Sequence, residues 1–184
     1  ANPEAELVEG SDGYLYGVAR TGGPNGNGTV FKLGKDGTGF TVLHAFGATT
    51  SGATVTPSTN ADGIGPLGPL VQAPDGHFYG TTSRGGTTGY GTIFRVRFDG
   101  TGFGLVRTFP VLTQATTSDP LINADGAVPL AGLTDGRDGR LYGVASAGGS
   151  NGFGTIFAYD PVGGVFNVLH NFDGSKGAQP SGEL

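Results

Sequence analysis

The sequence predicts an all-β fold, a β-propeller-type array of three four-stranded blades. Residues 12–33 recur at 75–96 and again at 138–159, each copy displaced by 63 residues from the one before. In every copy an Asp-Gly pair precedes an apolar and aromatic run, which is a strong signal for a β-hairpin. No stretch shows a sustained helical period, so almost no helix is expected. A glycine-rich repeat of this length with four short strands is typical of a propeller blade.

The repeat makes residues 1–184 a single array, with units at about 7–69, 70–132 and 133–184. Each unit begins with a leucine that follows a proline by four residues. The pairs are Pro3 and Leu7, Pro66 and Leu70, Pro129 and Leu133, and Pro180 and Leu184. Four unit starts therefore bracket three complete units. A 12-residue insertion rich in Ser and Thr follows the fourth strand in the first two units, within residues 47–61 and 110–124, and is absent from the third.

Four short strands are expected in each unit. The first begins at residues 7–8, 70–71 and 131–133, and the second covers 14–19, 77–82 and 140–145. The third covers 29–33, 92–96 and 155–159, and the fourth covers 40–46, 103–109 and 166–172. Side chains alternate between the two faces of a strand. Alternation along the fourth strand of the first unit predicts that Phe40, Val42, His44 and Phe46 share one face.

Composition excludes several classes of function. The formal net charge is −5, with Lys and Arg scattered singly, so there is no basic surface for nucleic acid. The chain has no Cys, which excludes disulfides and thiolate metal sites. No apolar run approaches the ~20 residues that a transmembrane helix needs. The sequence also has no Met, which suggests that a segment such as a secretory signal has been removed. We therefore expect an exported protein that is extracellular, at the cell surface or periplasmic.

Three blades are too few to close a propeller, because closed propellers typically have about 4–8 blades. The sequence therefore predicts two open blade faces that self-associate or bind a larger protein assembly. Three arrangements would cover the open faces. Two copies form a six-bladed ring, the chain is part of a longer array, or copies join head to tail into a filament. A β-trefoil, which also uses three four-stranded units, is the alternative fold.

The repeated pattern DGxLYGxxxxGGxxGxGT[VI]F, followed by VLHxF, resembles the bacterial glycine-rich tandem repeats called GloVer-type repeats. The resemblance covers nearly the whole chain and is fullest at residues 12–46 and 138–172. It implies a propeller-like array in an exported or surface-anchored protein, and it implies no defined activity and no catalytic residues. The second unit departs from the pattern at Arg107, which replaces the histidine found at His44 and His170. A shared role for this position is therefore in doubt.

Candidate chemistry along the chain is sparse. His44 and His170 are expected to be partly buried packing residues, since they recur at one position beside apolar neighbours. Tyr16, Tyr79, Tyr142 and Asn25 are the candidate ligand-binding residues, because repeated aromatic rings can stack on sugars. The same tyrosines are expected more often in the core between blades, where aromatic burial supplies packing area. No catalytic residue, cofactor or metal site is predicted.

These observations predict a non-enzymatic, exported structural or protein-interaction module built from propeller blades. It is expected to assemble with further copies of itself or with other chains. The alternative is a lectin-like module that binds glycans. The ligand and the number of blades in a closed ring are not determined by the sequence.

Overall fold

The computed structural model describes residues 5–50, 57–114 and 116–184. Pro3 and parts of both predicted insertions lie outside these residues. The described part of the chain forms three antiparallel sheets and holds no helix, and so no helix long and apolar enough to cross a membrane. Each sheet takes its strands from one continuous stretch of the chain, in chain order. This confirms the propeller-type blades, and it differs from a β-trefoil because no described sheet combines strands from separate stretches of the chain.

The strands follow the predicted repeat closely. The first sheet contains β1 (Val8–Glu9), β2 (Leu15–Ala19), β3 (Thr29–Leu33) and β4 (Thr41–Ala45). The second contains β5 (Ile64–Pro66), β6 (Val71–Gln72), β7 (Phe78–Arg84), β8 (Thr92–Val96) and β9 (Gly104–Thr108). The third contains β10 (Thr134–Asp135), β11 (Leu141–Ala145), β12 (Thr155–Asp160) and β13 (Val165–Asn171).

The first strand of the second sheet is interrupted and begins earlier than the sequence predicts. Both β5 and β6 pair with β7, at Ile64 with Arg84 and at Val71 with Tyr79. The predicted boundary between residues 69 and 70 therefore falls inside this sheet. Pro66 ends β5, Pro69 lies between β5 and β6, and proline has no N–H to continue the ladder. We call the segments that prolines interrupt in this way, at residues 64–70, 127–133 and 178–184, the inner segments.

Each sheet has a β-bulge in its fourth strand. The bulge changes which side chains of that strand share a face, compared with the sequence prediction. In the first sheet Val30 pairs with His44 but Phe31 pairs with Val42, which makes Leu43 the extra residue. The second and third sheets shift at the corresponding positions. Opposed residues of paired strands lie on the same face. Val42 therefore lies on the face of Phe31, and His44 lies on the opposite face.

The bulge gives every sheet aromatic side chains on both faces. Phe40 contacts Phe31, with ring centroids 5.3 Å apart, on one face of the first sheet. Phe46 contacts His44 on the other face, at 5.0 Å. The prediction that Phe40, Val42, His44 and Phe46 share a face is therefore wrong, because an inserted residue reverses the alternation. An aromatic group on each face allows successive sheets to pack ring against ring.

Two core clusters lie between successive sheets. The cluster between the first and second sheets contains Tyr16, Val18, Val30, Phe46, Leu70, Phe78, Phe94 and Val96. The cluster between the second and third contains Ala73, Tyr79, Ile93, Phe109, Leu133, Leu141, Ala145, Phe157 and Tyr159. Full burial of one such aromatic side chain contributes about 2 kcal/mol relative to exposure. The sheets are thus joined through one repeated apolar interface.

The inner segments meet at the axis of the array. Gly68 of the inner segment at residues 64–70 lies against Gly132 of the inner segment at residues 127–133, so closely that a Cβ atom at Gly68 would overlap the backbone of Gly132. A cavity of about 410 Å³ opens at this axis. Ala5, Glu6, Leu67, Gly68, Pro69, Leu130, Ala131, Ser181 and Glu183 line it. Residues from all four predicted unit starts therefore converge at one place.

Candidate interaction surfaces

Two sheet faces are left without a neighbouring sheet among the described residues. The N-terminal face is the outward face of the first sheet and carries Leu7, Leu15, Phe31, Leu33, Phe40 and Val42. The C-terminal face is the outward face of the third sheet and carries Tyr142, Ile156, Leu169, His170 and Phe172. Every one of these residues has a counterpart that packs between sheets elsewhere in the chain. The internal interfaces therefore show how the same positions pack when a neighbouring sheet is present.

Exposure distinguishes the N-terminal face from its internal counterparts. Leu7 is 46% exposed, whereas the corresponding Leu70 and Leu133 are 3% and 4% exposed. Phe40 is 61% exposed, whereas Phe103 at the same position of the second unit is partly buried in the first core cluster. The N-terminal face therefore presents to solvent the apolar groups that the second and third sheets bury.

The C-terminal face shows the complementary pattern. Leu169 is 52% exposed, whereas the corresponding Leu43 and Val106 pack against the core clusters. Phe46 and Phe109 are 1% and 0% exposed, and their counterpart Phe172 is only partly buried. The third sheet thus presents outward the side chains with which the first and second sheets hold their neighbours.

A histidine clamp joins the first sheet to the second. His44 lies flat on Phe103, with ring centroids 3.4 Å apart and an interplanar angle of 5°. The Nε2 atom of His44 lies 2.8 Å from Oδ2 of Asp62, and that carboxylate also accepts hydrogen bonds from the amide N–H of Gly47 at 2.9 and 3.0 Å. Burial lowers the pKa of His44 below its ordinary value of 6.5, against the opposing effect of Asp62. The neutral ring is therefore the form that the fold favours.

Arg107 forms the corresponding clamp between the second and third sheets. Its guanidinium pairs with Asp125, and its Cζ atom lies 4.7 Å from the ring centroid of Phe166. A guanidinium over an aromatic face is attracted by the ring quadrupole. Burial lowers the pKa of Arg107. The exchange of histidine for arginine thus preserves both contacts, and this position has the same role in the first two units.

His170 is the third member of this series and lacks the clamp. Its ring makes an edge contact with Phe172, with centroids 5.1 Å apart, and the residue is exposed. After the missing insertion, Lys176 occupies the position that Asp62 and Asp125 hold in the other units. The expectation of a partly buried histidine is confirmed at His44 and is wrong at His170, because no sheet follows the third to cover that ring within the described residues.

The three candidate tyrosines share one hydrogen bond and differ in accessibility. The hydroxyls of Tyr16, Tyr79 and Tyr142 donate to Asp12, Asp75 and Asp138 at 2.6, 2.8 and 2.7 Å. Burial raises the pKa of Tyr16 and of Tyr79, whereas the hydrogen bond to Asp138 is the main cause that raises the pKa of Tyr142. Tyr16 and Tyr79 are 0% exposed, so their rings offer no face to a ligand. Tyr142 is partly exposed on the C-terminal face.

The candidate Asn25 has an exposed loop position and a structural contact. Its side-chain amide donates to the backbone carbonyl of Phe46 at 3.0 Å, which ties the glycine-rich loop to the end of the fourth strand. Asn25 is therefore accessible, but it is not close to the tyrosines in a common site that the structure describes. No group of three or more His, Asp or Glu side chains that could hold a metal ion occurs among the described residues.

Asn60 and Asn123, which as repeated asparagines were also candidate positions for glycan binding, form structural hydrogen bonds. The Oδ1 atom of Asn60 accepts from the amide N–H of Gly63 at 2.7 Å and of Gly86 at 3.0 Å. Asn123 accepts from Gly126 at 2.8 Å and from Gly149 at 3.0 Å. Each asparagine thus joins its own turn to the glycine-rich loop of the following sheet. In the sequence, the repeated Asn-Ala-Asp-Gly motif is the signal for this structural role. Its Asn and its Asp each have a hydrogen-bond partner in the structure.

Comparison with known proteins identifies a family. The family model of the Gloeobacter/Verrucomicrobia repeat matches residues 1–184. No curated protein matches the chain. Among solved structures, a chain in the crystal structure of a nidogen/laminin complex is 14% identical, with a TM-score of 0.40. The match covers 92% of the present chain and 65% of the length of that chain.

Proposed function

The chain belongs to the Gloeobacter/Verrucomicrobia repeat family, and we propose that it is a non-enzymatic, exported structural module that binds other protein chains through its N-terminal and C-terminal faces. The observation that carries this proposal is the exposure of residues whose counterparts are buried or partly buried between sheets. Phe40, Leu7 and Leu169 are 61%, 46% and 52% exposed.

The clustering of these side chains favours a protein partner. Single exposed apolar residues are normal on a protein surface, but a contiguous patch marks a site of interaction. Phe40 contacts Phe31 on the N-terminal face, and Leu7 lies over Gly17 beside the same ring. An interface with an aromatic centre of this kind is typical of protein recognition.

The two outer faces are complementary to each other. The C-terminal face carries the counterparts of His44 and Phe46, which contact Phe103 in the first internal interface. The N-terminal face carries Phe40, the counterpart of Phe103. A further copy of the chain therefore offers the partner that each face is shaped to receive.

The repeated polar residues support a structural role. The Tyr-Asp pairs, the His44 and Arg107 clamps, and the Asn60 and Asn123 bridges each connect parts of the repeat to one another. A catalytic group needs access to a substrate, whereas Tyr16 and Tyr79 have none. Export is the part of the proposal that rests on the resemblance to exported repeat proteins, and fractionation of cells that make the protein tests it.

Surface plasmon resonance in which each variant is both immobilised and used as the analyte tests the binding proposal. The wild-type chain is expected to bind to itself, and Phe40→Glu is expected to bind to itself at least about tenfold more weakly, because every pairing then buries an unpaired carboxylate. Val162→Glu is the matched control, since Val162 is 81% exposed but lies in the turn between β12 and β13. Equal binding by wild type, Phe40→Glu and Val162→Glu would contradict the proposal.

Glycan binding is the second candidate function, and the partial exposure of Tyr142 is the observation that favours it. This ring lies on the C-terminal face, with its hydroxyl held by Asp138 at 2.7 Å, an arrangement that leaves a ring surface for a sugar. A glycan array is expected to show binding that Tyr142→Ala abolishes. An array without any bound glycan would count against this function.

A further inference from the structure

The inner segment at residues 178–184 contacts the third sheet in the same way that the inner segments at residues 64–70 and 127–133 contact the first and second sheets. The N–H of Gly65 donates to the carbonyl of Asn27 at 2.9 Å, and the N–H of Val128 donates to Tyr90 at 2.9 Å. At the corresponding position, the N–H of Gln179 donates to Phe153 at 2.8 Å. All three donor residues have positive φ, at 65°, 55° and 51°. Residues 178–184 therefore adopt the conformation and the contacts of an inner segment.

In the described part of the chain, this segment has no sheet of the kind to which its counterparts belong. Leu70 lies over Gly80 of its own sheet, beside Phe94, and Leu133 lies over Gly143 beside Phe157. Leu70 and Leu133 are 3% and 4% exposed, whereas Leu184 is 54% exposed. The backbone carbonyl of Leu184 accepts a hydrogen bond from Oγ1 of Thr134 at 3.0 Å, which holds it beside the third sheet. An inner segment is thus in place with no second strand to cover it in the described structure.

The start of the chain carries the same segment again. Residues 1–7 read ANPEAEL and residues 178–184 read AQPSGEL, so that Ala, Pro, Glu and Leu recur at matching places. Leu7 lies over Gly17 beside Phe31, as Leu70 lies over Gly80 beside Phe94. Glu6 and Glu183 both line the axial cavity. If two copies packed end to end in the internal register, these two segments would compete for one position.

We propose that residues 178–184 of one copy replace residues 5–7 of a second copy as the inner segment of its first sheet, in a head-to-tail pairing. The C-terminal face of the first copy then packs on the N-terminal face of the second. This inference rests on the proposed function and specifies its partner, its polarity and its register. The partner is a second copy of this chain, and Leu184 covers Gly17 and Phe31 of that copy in place of Leu7.

The first internal interface gives the register of the pairing. His170 lies on Phe40 of the second copy, as His44 lies on Phe103 at 3.4 Å. Leu169 lies against Gly37 of the second copy, because a Cβ atom at the corresponding Gly100 would stand 3.3 Å from the Cα atom of Leu43. The space around Gly37 is open, with nothing within 4 Å of a Cβ atom built there.

Charge complementarity supports the same register. In the first internal interface, the carbonyl of Phe98 accepts hydrogen bonds from Nζ of Lys32 at 2.9 Å and from the hydroxyl of Tyr16 at 3.4 Å. The hydroxyl of Tyr16 also donates a hydrogen bond to Asp12. The counterparts of Phe98 and Asp12 are Lys35 and Asp138. Pairing therefore brings Lys35 of the second copy close to Asp138.

The C-terminal face has room for this lysine. Ala158 stands where the first two sheets have Lys32 and Arg95, and a depression of about 200 Å³ lies beside it. Arg140 and Asp160 line the same depression, so the carboxylates of Asp138 and Asp160 offset the charge of Arg140. Lys35 of the second copy thus supplies the positive charge that Lys32 and Arg95 supply in the first two sheets and that the third sheet, with Ala158, does not have.

Cysteine cross-linking tests the polarity and register of the pairing. Because the chain has no native Cys, only the introduced thiols can form a disulfide. Leu169→Cys and Gly37→Cys are prepared as separate variants, mixed, and oxidised with glutathione disulfide, which accepts the two electrons as the thiols form one disulfide. A covalent dimer that joins one variant to the other is expected. Leu43→Cys with Gly100→Cys in one chain is the matched control for the same geometry. If the control closes while the mixture gives no mixed dimer, or gives mainly the Leu169→Cys homodimer, the pairing is overturned.

A comparison of two variants separates this inference from the proposed function. In surface plasmon resonance with each variant both immobilised and used as analyte, Leu184→Asp is expected to weaken self-association by at least about tenfold, whereas Val162→Asp, which lies outside both faces, leaves it unchanged. Circular dichroism confirms that both variants are folded. If Phe40→Glu weakens association and Leu184→Asp does not, the faces bind without exchange of the segment and only this inference fails. If wild-type chain does not self-associate, the inference fails together with self-binding.

Discussion

His44 of the first sheet lies parallel to Phe103 of the second, with ring centroids 3.4 Å apart, and Phe103 also contacts Phe46 and Phe94 at 6.0 and 5.7 Å. Arg107 holds the corresponding place over Phe166 at 4.7 Å. A single position thus carries either a histidine or an arginine, and in both cases it caps an aromatic ring of the following sheet. Each phenylalanine of this series belongs to the face that its sheet turns toward the preceding sheet.

Removal of one such ring is expected to be costly only where a sheet covers it. Phe103→Ala is expected to lower the free energy of unfolding by about 3 kcal/mol, since it leaves a cavity against Phe94 and His44. Phe40→Ala at the equivalent, 61% exposed position is expected to cost less than about 1 kcal/mol. Urea denaturation of dilute protein compares the two. Equal losses would contradict this expectation, because they would show that the cost does not depend on cover by a neighbouring sheet.

Stability is expected to fall on mild acidification because of His44. Burial holds the pKa of His44 below 6.5, so the unfolded chain takes up more protons than the folded chain as the pH falls through that value. The contribution of the neutral ring is therefore present above pH 6.5 and declines below it. His44→Arg, which copies the second unit, is expected to remove this part of the decline. Thermal denaturation between neutral pH and the onset of carboxylate protonation measures it, and parallel curves for both proteins would contradict the assignment.

Val128 is expected to be a strained residue. It has a φ of 55°, a conformation that costs a β-branched side chain about 1–2 kcal/mol, and Gly65 holds the same position in the inner segment at residues 64–70, with a φ of 65°. Val128→Gly is therefore expected to raise the free energy of unfolding by about 1 kcal/mol, and Gly65→Val to lower it. Chemical denaturation measures both. A loss of stability in Val128→Gly would show that its side-chain contacts outweigh the backbone strain.

The axis of the array is expected to tolerate no side chain at Gly68. A Cβ atom there would overlap the backbone of Gly132, so Gly68→Ala is expected to cost about 2–3 kcal/mol. Gly182 is the counterpart in the last inner segment and has nothing within 4 Å of a Cβ atom built on it. Gly182→Ala is the matched control and is expected to leave the melting temperature almost unchanged. Similar melting temperatures for the two variants would contradict the close approach of the inner segments.

The repeat was sufficient to predict the sheets but not the facing of their fourth strands. A period of two predicts strict alternation, and the extra residue at Leu43 is visible only when Val30 and Phe31 are seen to pair with His44 and Val42. The predicted boundary between the first two units, at residues 69 and 70, falls inside the second sheet because pairing between strands is also not visible in the repeat. Ile64 pairs with Arg84 of the second sheet, although two prolines separate it from the rest of its inner strand.

The candidate site residues were predictable in kind but not in accessibility. The recurrence of Tyr16 and Tyr79 favoured the core over ligand contact, and the neighbouring sheets bury both rings. The shared role of His44 and Arg107 was invisible in sequence because it depends on Asp62, Asp125 and a ring from the following unit. Long-range partners of this kind are set by the packing of sheets and not by local pattern.

The most direct test of the account is the molar mass of the purified chain by light scattering over a rising concentration series. The central claim is that both outer faces are unfilled versions of the internal sheet interface. The account predicts that the mass of the wild-type chain rises above 18.4 kDa with concentration, and that the Phe40→Glu, Leu169→Glu double variant stays at the mass of one chain. A wild-type mass of 18.4 kDa at every concentration up to the solubility limit would contradict it.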